Sequence, residues 1–285
     1  MKLAGFTIIV SFMILSLMGC QNKTSDNKLL KSTDKHNNGL FLIHIVSVQP
    51  GDEDKFIDHL DSVYFPAWSE LKDRGQLYEA SVFQTKTLDS LQDEAPSKDF
   101  LILIHLTSDP LTVNLFEAET ELRKFQLYDK SYFSVIRSEI MAPTKDSYFP
   151  VTTSQDYERV EEIDFLVEFI DVNDSPEDLE LYRSLMNSYF GPANGILVEK
   201  NLLFSFTAFE TDKVISITDD EASWNQIHIS GDYPEYLDLN WDSLYSDLLH
   251  KEFSVDLDSI WDLLPDIRES PPYYSGQFIK KLHLH

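Results

Sequence analysis

The chain has one cysteine among 285 residues, Cys20. No intrachain disulfide can form, and neither a thiolate zinc cluster nor a Cys–His catalytic pair can be built inside a folded domain. Basic residues are also scarce: 23 Lys plus Arg stand against 49 Asp plus Glu, a formal charge of −26. Such a chain is repelled by phosphate backbones, which argues against nucleic-acid binding. The acidity serves solubility, and leaves open an attraction for cations or a basic partner. There is no Gly-rich phosphate loop, no G-x-S-x-G and no H-E-x-x-H. What is present is a core-forming composition, 42% hydrophobic and 13% aromatic, on a length suited to one large or two ordinary domains.

The N-terminus reads as an address. Lys2 precedes Leu3 to Met18, a run without a charged residue. As a helix it spans about 24 Å, short of the ~30 Å hydrocarbon core, so a secretory signal peptide over residues 1–19 is expected rather than a membrane span. The run closes on Leu17-Met18-Gly19-Cys20. This resembles the lipobox of bacterial lipoproteins, with Met18 a minor departure from the small residue usual there. The resemblance implies cleavage before Cys20 and acylation of its sulfur, which would anchor the chain to a membrane. Residues 20–39 are polar and form the expected tether. Gln21 follows the cysteine in place of the aspartate that favours inner-membrane retention, so the resemblance points to the outer membrane of a Gram-negative cell envelope.

Beyond the tether the sequence echoes itself. Ile104-His105-Leu106-Thr107-Ser108-Asp109-Pro110 returns as Ile227-His228-Ile229-Ser230-Gly231-Asp232, 123 residues on. Leu77-Tyr78, Phe83 and Thr85 return as Leu203-Phe204, Phe209 and Thr211 at a spacing of 126. In the first unit, residues 40–142, strands are expected at Phe41–Val48, Leu77–Leu88, Phe100–Leu106 and Tyr132–Met141. Helices are expected at Asp52–Arg74, kinked or split into two short helices at Pro66, and at Leu111–Lys130. Residues 143–161 read as a connector.

In the second unit, residues 162–285, Phe165–Val172 repeats the first strand. Ser175-Pro176-Glu177-Asp178 opens a capped helix, with Gly191-Pro192-Ala193 answering Pro66-Ala67. Strands follow at Leu202–Thr211, Trp224–Ser230 and Gln277–Leu282, with helical pieces at Tyr236–His250 and Val255–Leu264 that Pro265 ends. The last residues, Leu282-His283-Leu284-His285, read as a frayed end.

The fold class is therefore α+β, two tandem ferredoxin-like β-α-β-β-α-β units. Element order, internal repetition and the run from Pro66-Ala67-Trp68 to Gly75-Gln76-Leu77 resemble the dimeric α/β-barrel superfamily over residues 40–285. That superfamily includes antibiotic-biosynthesis monooxygenases, NIPSNAP-like proteins and the haem-linked chlorite dismutase group. The resemblance implies an intrachain barrel, and no catalytic motif transfers with it.

Strand parity singles out polar residues on apolar strands. Leu42, His44 and Val46 share one face of the first strand, and Leu166, Glu168 and Ile170 the matching face of its repeat. His105 and His228 lie opposite the apolar residues of their own strands. If helices cover the more uniformly apolar faces, His44, His105, Glu168 and His228 line the space between the two sheets. Three histidines and a glutamate offer a divalent-metal or acid–base site. Trp68, Trp224, Tyr78 and Phe204 offer stacking surfaces for an aromatic ligand.

Three functions follow. The first is an envelope lipoprotein binding a small apolar or aromatic molecule between its sheets. The second is a cofactor-independent monooxygenase or haem-associated enzyme, which the superfamily resemblance allows. The third is an interaction partner for another envelope protein. No cofactor is named by the residues themselves.

Overall fold

The computed structural model describes residues 39–88, 97–106, 131–218, 224–269 and 273–284. The expected signal peptide and Cys20 lie outside the described residues. So do the helix expected at residues 111–130 and most of the tether.

The strands are β1 (Phe41–Val48), β2 (Leu77–Thr87), β3 (Phe100–Leu106), β4 (Phe133–Phe149), β5 (Asp164–Val172), β6 (Leu203–Ile217), β7 (Gln226–Asp232), β8 (Arg268–Glu269) and β9 (Tyr274–Phe278). They form one sheet in the order β7-β6-β4-β1-β3-β2-β9-β5-β8, and β7 also pairs with β5. That extra pairing closes every strand but the two-residue β8 into an antiparallel barrel. β4-β1-β3-β2 occupies one half of the barrel, and β6-β7-β5-β9 the other. The halves join where β4 pairs with β6 and where β2 pairs with β9.

The helices lie outside. In the first half α1 (Glu53–His59) runs into a π-helical turn, Leu60–Tyr64, and then α2 (Phe65–Asp73). In the second half α3 (Pro176–Leu185) runs through a π-helical turn, Met186–Phe190, into α4 (Gly191–Glu199). The two π turns are 126 residues apart, and each is followed by a proline, Pro66 or Pro192. Proline lacks the N–H and crowds the carbonyl four residues back. A wider turn just before it absorbs that defect, so the interruption expected at Pro66 takes the form of two short α-helices joined by a π turn. The predicted cap at Ser175 is present: its hydroxyl accepts from the Asp178 amide at 3.1 Å. Then come α5 (Trp241–Leu248), a π turn Leu249–Phe253, α6 (Leu257–Trp261) and α7 (Leu264–Ile267). Pro265 stands in the first turn of α7 and begins a helix instead of ending one.

Several boundaries also differ from expectation: β6 runs on past Thr211 to Ile217, and the last strand is Tyr274–Phe278, with Lys280–Leu282 forming a helical turn where the strand was expected to end. β4 continues past Pro143 to Phe149, because Pro143 falls next to an irregularity in the β4–β6 ladder, where a missing N–H is tolerated. The C-terminus is not frayed: Leu284 bridges Ala80, and the His283 ring packs on Tyr157 and Phe278.

Three cores result. The barrel interior is filled by residues from both halves, among them Phe41, Ile43, Leu103, Phe165, Val167, Phe209 and Ile229. A second core packs α1 and α2 on the outer face of the first half, through Phe56, Leu60, Trp68 and Leu71 against Leu42, Ile102 and Ile104. The third packs α3 to α7 on the outer face of the second half. An eight-stranded barrel has room for its own side chains and little else.

Candidate functional site

β5 and β7 lie side by side, with Glu168 opposite His228, Leu166 opposite Ser230 and Asp164 opposite Asp232. Alternation turns Phe165, Val167 and Phe169 into the barrel and leaves Leu166 and Glu168 on the outer face beneath the helices. There α3 supplies Tyr182, and the turn after it Met186 and Phe190. α4 supplies Asn194, α5 Trp241 and Tyr245, and α6 Trp261, while Arg268 of β8 closes one side. Together these enclose a cavity of about 340 Å³ between helices and sheet. That is within the size range of small-molecule sites.

Its polar side is a connected network. The Tyr182 hydroxyl and His228 Nε2 are 3.1 Å apart. His228 Nδ1 is 3.7 Å from Glu168 Oε2, and the Arg268 guanidinium lies 6.0 Å over the Tyr182 ring. Burial works against the Glu168 carboxylate, but His228 and then Arg268 outweigh it and hold the carboxyl below its usual range. Burial pushes the Tyr182 phenol up, so it stays a hydrogen-bonding hydroxyl. Asp232 behaves the opposite way to Glu168. Burial, reinforced by the facing Asp164, raises its carboxyl to about 6. The Tyr245 hydroxyl donates to Asn194 Oδ1 across the cavity roof.

The four residues expected to share one inter-sheet space are divided among three places. Glu168 and His228 come together, but on the outer face of the second half. His44 is on the outer face of the first half with Leu42 and Val46, where Ser138 Oγ is 2.8 Å from its Nδ1. Burial lowers its ring to about 4. His105 alone is between the sheets, stacked on Phe41 at 4.3 Å. A Cβ on Gly39 would come within 2.0 Å of His105 Nε2, so only glycine lets the backbone pass there. Next to His105 is a chamber of about 30 Å³ bordered by Glu79, Ser81, Tyr148 and Thr207. It has room for a water molecule and nothing larger. Burial raises the Glu79 carboxyl to about 7, against a hydrogen bond from Ser81 and the charge of Lys72. Among the described residues no group of three or more His, Cys, Asp or Glu side chains is placed to hold a metal ion.

The stacking candidates are also corrected. Trp68 is 1% exposed inside the first helix–sheet core, and Trp224 is 2% exposed inside the barrel. Trp224 instead covers a buried ion pair. The Arg137 guanidinium lies 3.4 Å over its ring and donates to its carbonyl at 2.7 Å and to Glu139 at 3.0 Å. Phe204 belongs to the barrel interior, and Tyr78 is a partly exposed edge contact of His105.

The residues missed were Tyr182, Tyr245, Trp241, Trp261, Asp232 and Arg268. A signal for three positions was present in the 126-residue spacing. It sets Phe56 against Tyr182, Trp68 against Asn194 and Leu106 against Asp232. The ladders agree with it: Ile102 pairs with His44 as His228 pairs with Glu168. The 123-residue echo that aligned His105 with His228 is therefore out of register by three residues.

No protein-family model matches the sequence, and no curated protein matches it. Among solved structures the chain is similar to an anthrone oxidase-like protein at 10% identity and a TM-score of 0.50, over 88% of this chain and 93% of the other. It is also similar to a mutant chlorite dismutase from Candidatus Nitrospira defluvii at 11% identity and a TM-score of 0.44, over 86% and 94%. A third similarity is to a haem-binding protein from Thermus thermophilus at 12% identity and a TM-score of 0.39, over 86% and 92%. The first likeness shows the fold alone, that of the dimeric α/β barrels.

Proposed function

We propose that this protein binds a small, largely aromatic molecule in the cavity between α3 to α6 and the outer face of β5 and β7. The observation that carries the reading is the pairing of about 340 Å³ of space with aromatic walls and one polar network, Tyr182–His228–Glu168. The molecule sits under the helices of the second half and not between the sheets. Titration calorimetry with 2-phenylethanol, an uncharged aromatic probe, tests this. Saturable one-to-one binding is expected, and Asn194→Trp, which fills the space, is expected to abolish it. Equal binding by that variant would remove the cavity as the site.

A haem-associated role was the second expectation, and one similar structure is described as a haem-binding protein. An axial ligand needs a donor aimed into the cavity. His228 Nε2 is engaged by Tyr182 and its Nδ1 faces Glu168, while burial holds Tyr182 as a phenol. This pair does not fit an axial ligand as it stands. A Soret band that shifts on adding haemin, and is lost in His228→Ala, would replace the binding reading with the haem-associated one.

The same proposal covers organisation and location. Residues 40–142 and 162–285 are two copies of one ferredoxin-like unit joined by residues 143–161, supported by the shared strand order and the paired π turns. Residues 1–19 are a signal peptide, and the Leu17-Met18-Gly19-Cys20 run makes Cys20 the lipid attachment point of an envelope protein. An outer-membrane destination and a protein partner in the envelope remain part of the proposal. Cys20→Ala is expected to lose palmitate labelling and release the protein from membranes; unchanged membrane retention would sink the assignment.

A further inference from the structure

The cavity has a charge asymmetry that an aromatic probe alone does not use. Two carboxylates, Glu168 and Asp232, and one guanidinium, Arg268, line it. Glu168 and Arg268 answer each other, with His228 and Tyr182 between them. Asp232 has no such answer. Asp164 faces it across the ladder with a like charge, and no donor bonds its carboxyl among the described residues. Trp241, Tyr245 and Trp261 stand around the same space. Tyr245 is close enough for the Asp232 charge, after burial, to raise its phenol further. In the first half the position 126 residues earlier is Leu106, buried in the helix–sheet core.

Resting on the binding reading above, we infer that the ligand carries a protonated amine, seated between the Asp232 carboxylate and the aromatic rings of α5 and α6. A cation is held there twice over. The carboxylate supplies Coulomb attraction in a partly desolvated site, and the ring faces supply their quadrupoles. The ammonium also relieves the repulsion between Asp232 and Asp164. The groups that face Asp232 are Asp164 and Glu168 on β5, His228 on its own strand, Tyr245 on α5 and Arg268 on β8. Arg268 is the only fixed cation among them, and the Tyr182 hydroxyl already accepts a hydrogen bond from it. Burial and the facing Asp164 raise the Asp232 carboxyl to about 6, so amine binding is expected to weaken as pH falls through that value.

Calorimetry on the full chain with three probes that share a phenylethyl group decides the point: 2-phenylethylamine, 2-phenylethanol and 3-phenylpropionate. At pH 7.5 the amine is expected to bind about tenfold more tightly than the alcohol, with the acid weakest. At pH 5 the preference shrinks towards one. Asp232→Asn is expected to abolish the preference at both pH values. Asp164→Asn, outside the cavity lining, is expected to reduce it at pH 7.5 without abolishing it, and to move its midpoint to lower pH. If alcohol and amine bind equally to the wild type, the amine inference falls while the binding reading stands. Tightest binding of the carboxylate overturns the inference and makes Arg268 the anchor. If no probe binds, the binding reading falls and the amine inference falls with it.

Discussion

The two halves of the barrel present the same outer face to the same kind of helix, yet among the described residues one face is filled and the other hollow. In the first half Phe56, Trp68, Ile102, Ile104 and Leu106 close the space between helix and sheet. At the positions 126 residues later the second half has Tyr182, Asn194, His228, Ser230 and Asp232, all of which line the cavity. The backbone does not account for this, since both halves share a strand order and a π turn before proline. The side chains do. Exchanging an indole for an amide vacates volume, and exchanging Leu for Asp and Ile for His puts polar groups where water or a ligand must meet them. On the proposed reading, one half serves stability and the other is kept for binding.

The largest way to test this contrast is to reverse it. Trp68→Ala empties a fully buried site and is expected to cost about 3–5 kcal/mol in urea unfolding. Asn194→Trp, the reciprocal change, has a cavity ready to receive the ring and is expected to cost less than about 2 kcal/mol while removing ligand binding. Equal costs would mean that the second half is as tightly packed as the first.

A smaller effect separates the ladder-matched pair His44 and Glu168. Burial depresses the folded His44 ring to about 4, from an unfolded value near 6.5. Its contribution is fully present above about pH 6.5 and is lost as pH falls through 4, about 3 kcal/mol in all. Glu168 is also depressed, so its contribution is lost only at more acid pH, as its own folded value is crossed. Unfolding free energies between pH 7 and 4 should therefore flatten in His44→Gln but keep their slope in Glu168→Gln. The smallest effect is Tyr182→Phe, which gives the second half the residue of the first. It removes the hydroxyl bonded to His228 and should cost about 1 kcal/mol by thermal unfolding. A cost near zero would show that the network does not hold the cavity together.

Much of the fold was legible in the sequence because strand and helix periods are local. Phe41–Val48 and Phe100–Leu106 are the strands expected, and the Ser175 cap is in place. The site was harder to read because a face has to be assigned to a side, and parity gives only the faces. The rule that helices cover the more uniformly apolar face fails here. The barrel interior is lined largely by aliphatic and aromatic side chains, so Phe165, Val167 and Phe169 turn inward and Glu168 outward. His105 followed the inner face and His228 the outer one, because the short echo misaligned them by three residues. Arg268 and Trp261 could not be found by comparing halves, since α5 to α7 and β8 are read from the second half alone.

The central claim is that ligand binding belongs to the outer face of the second half. Backbone amide NMR of the full chain, titrated with 2-phenylethanol, tests it most directly. Shift changes are predicted at Glu168, Tyr182, Asn194, His228, Ser230 and Asp232, with Ile102, Ile104 and Leu106 unmoved. Changes centred on His105, Tyr148 and Glu79 inside the barrel, or on the first-half face, would contradict it.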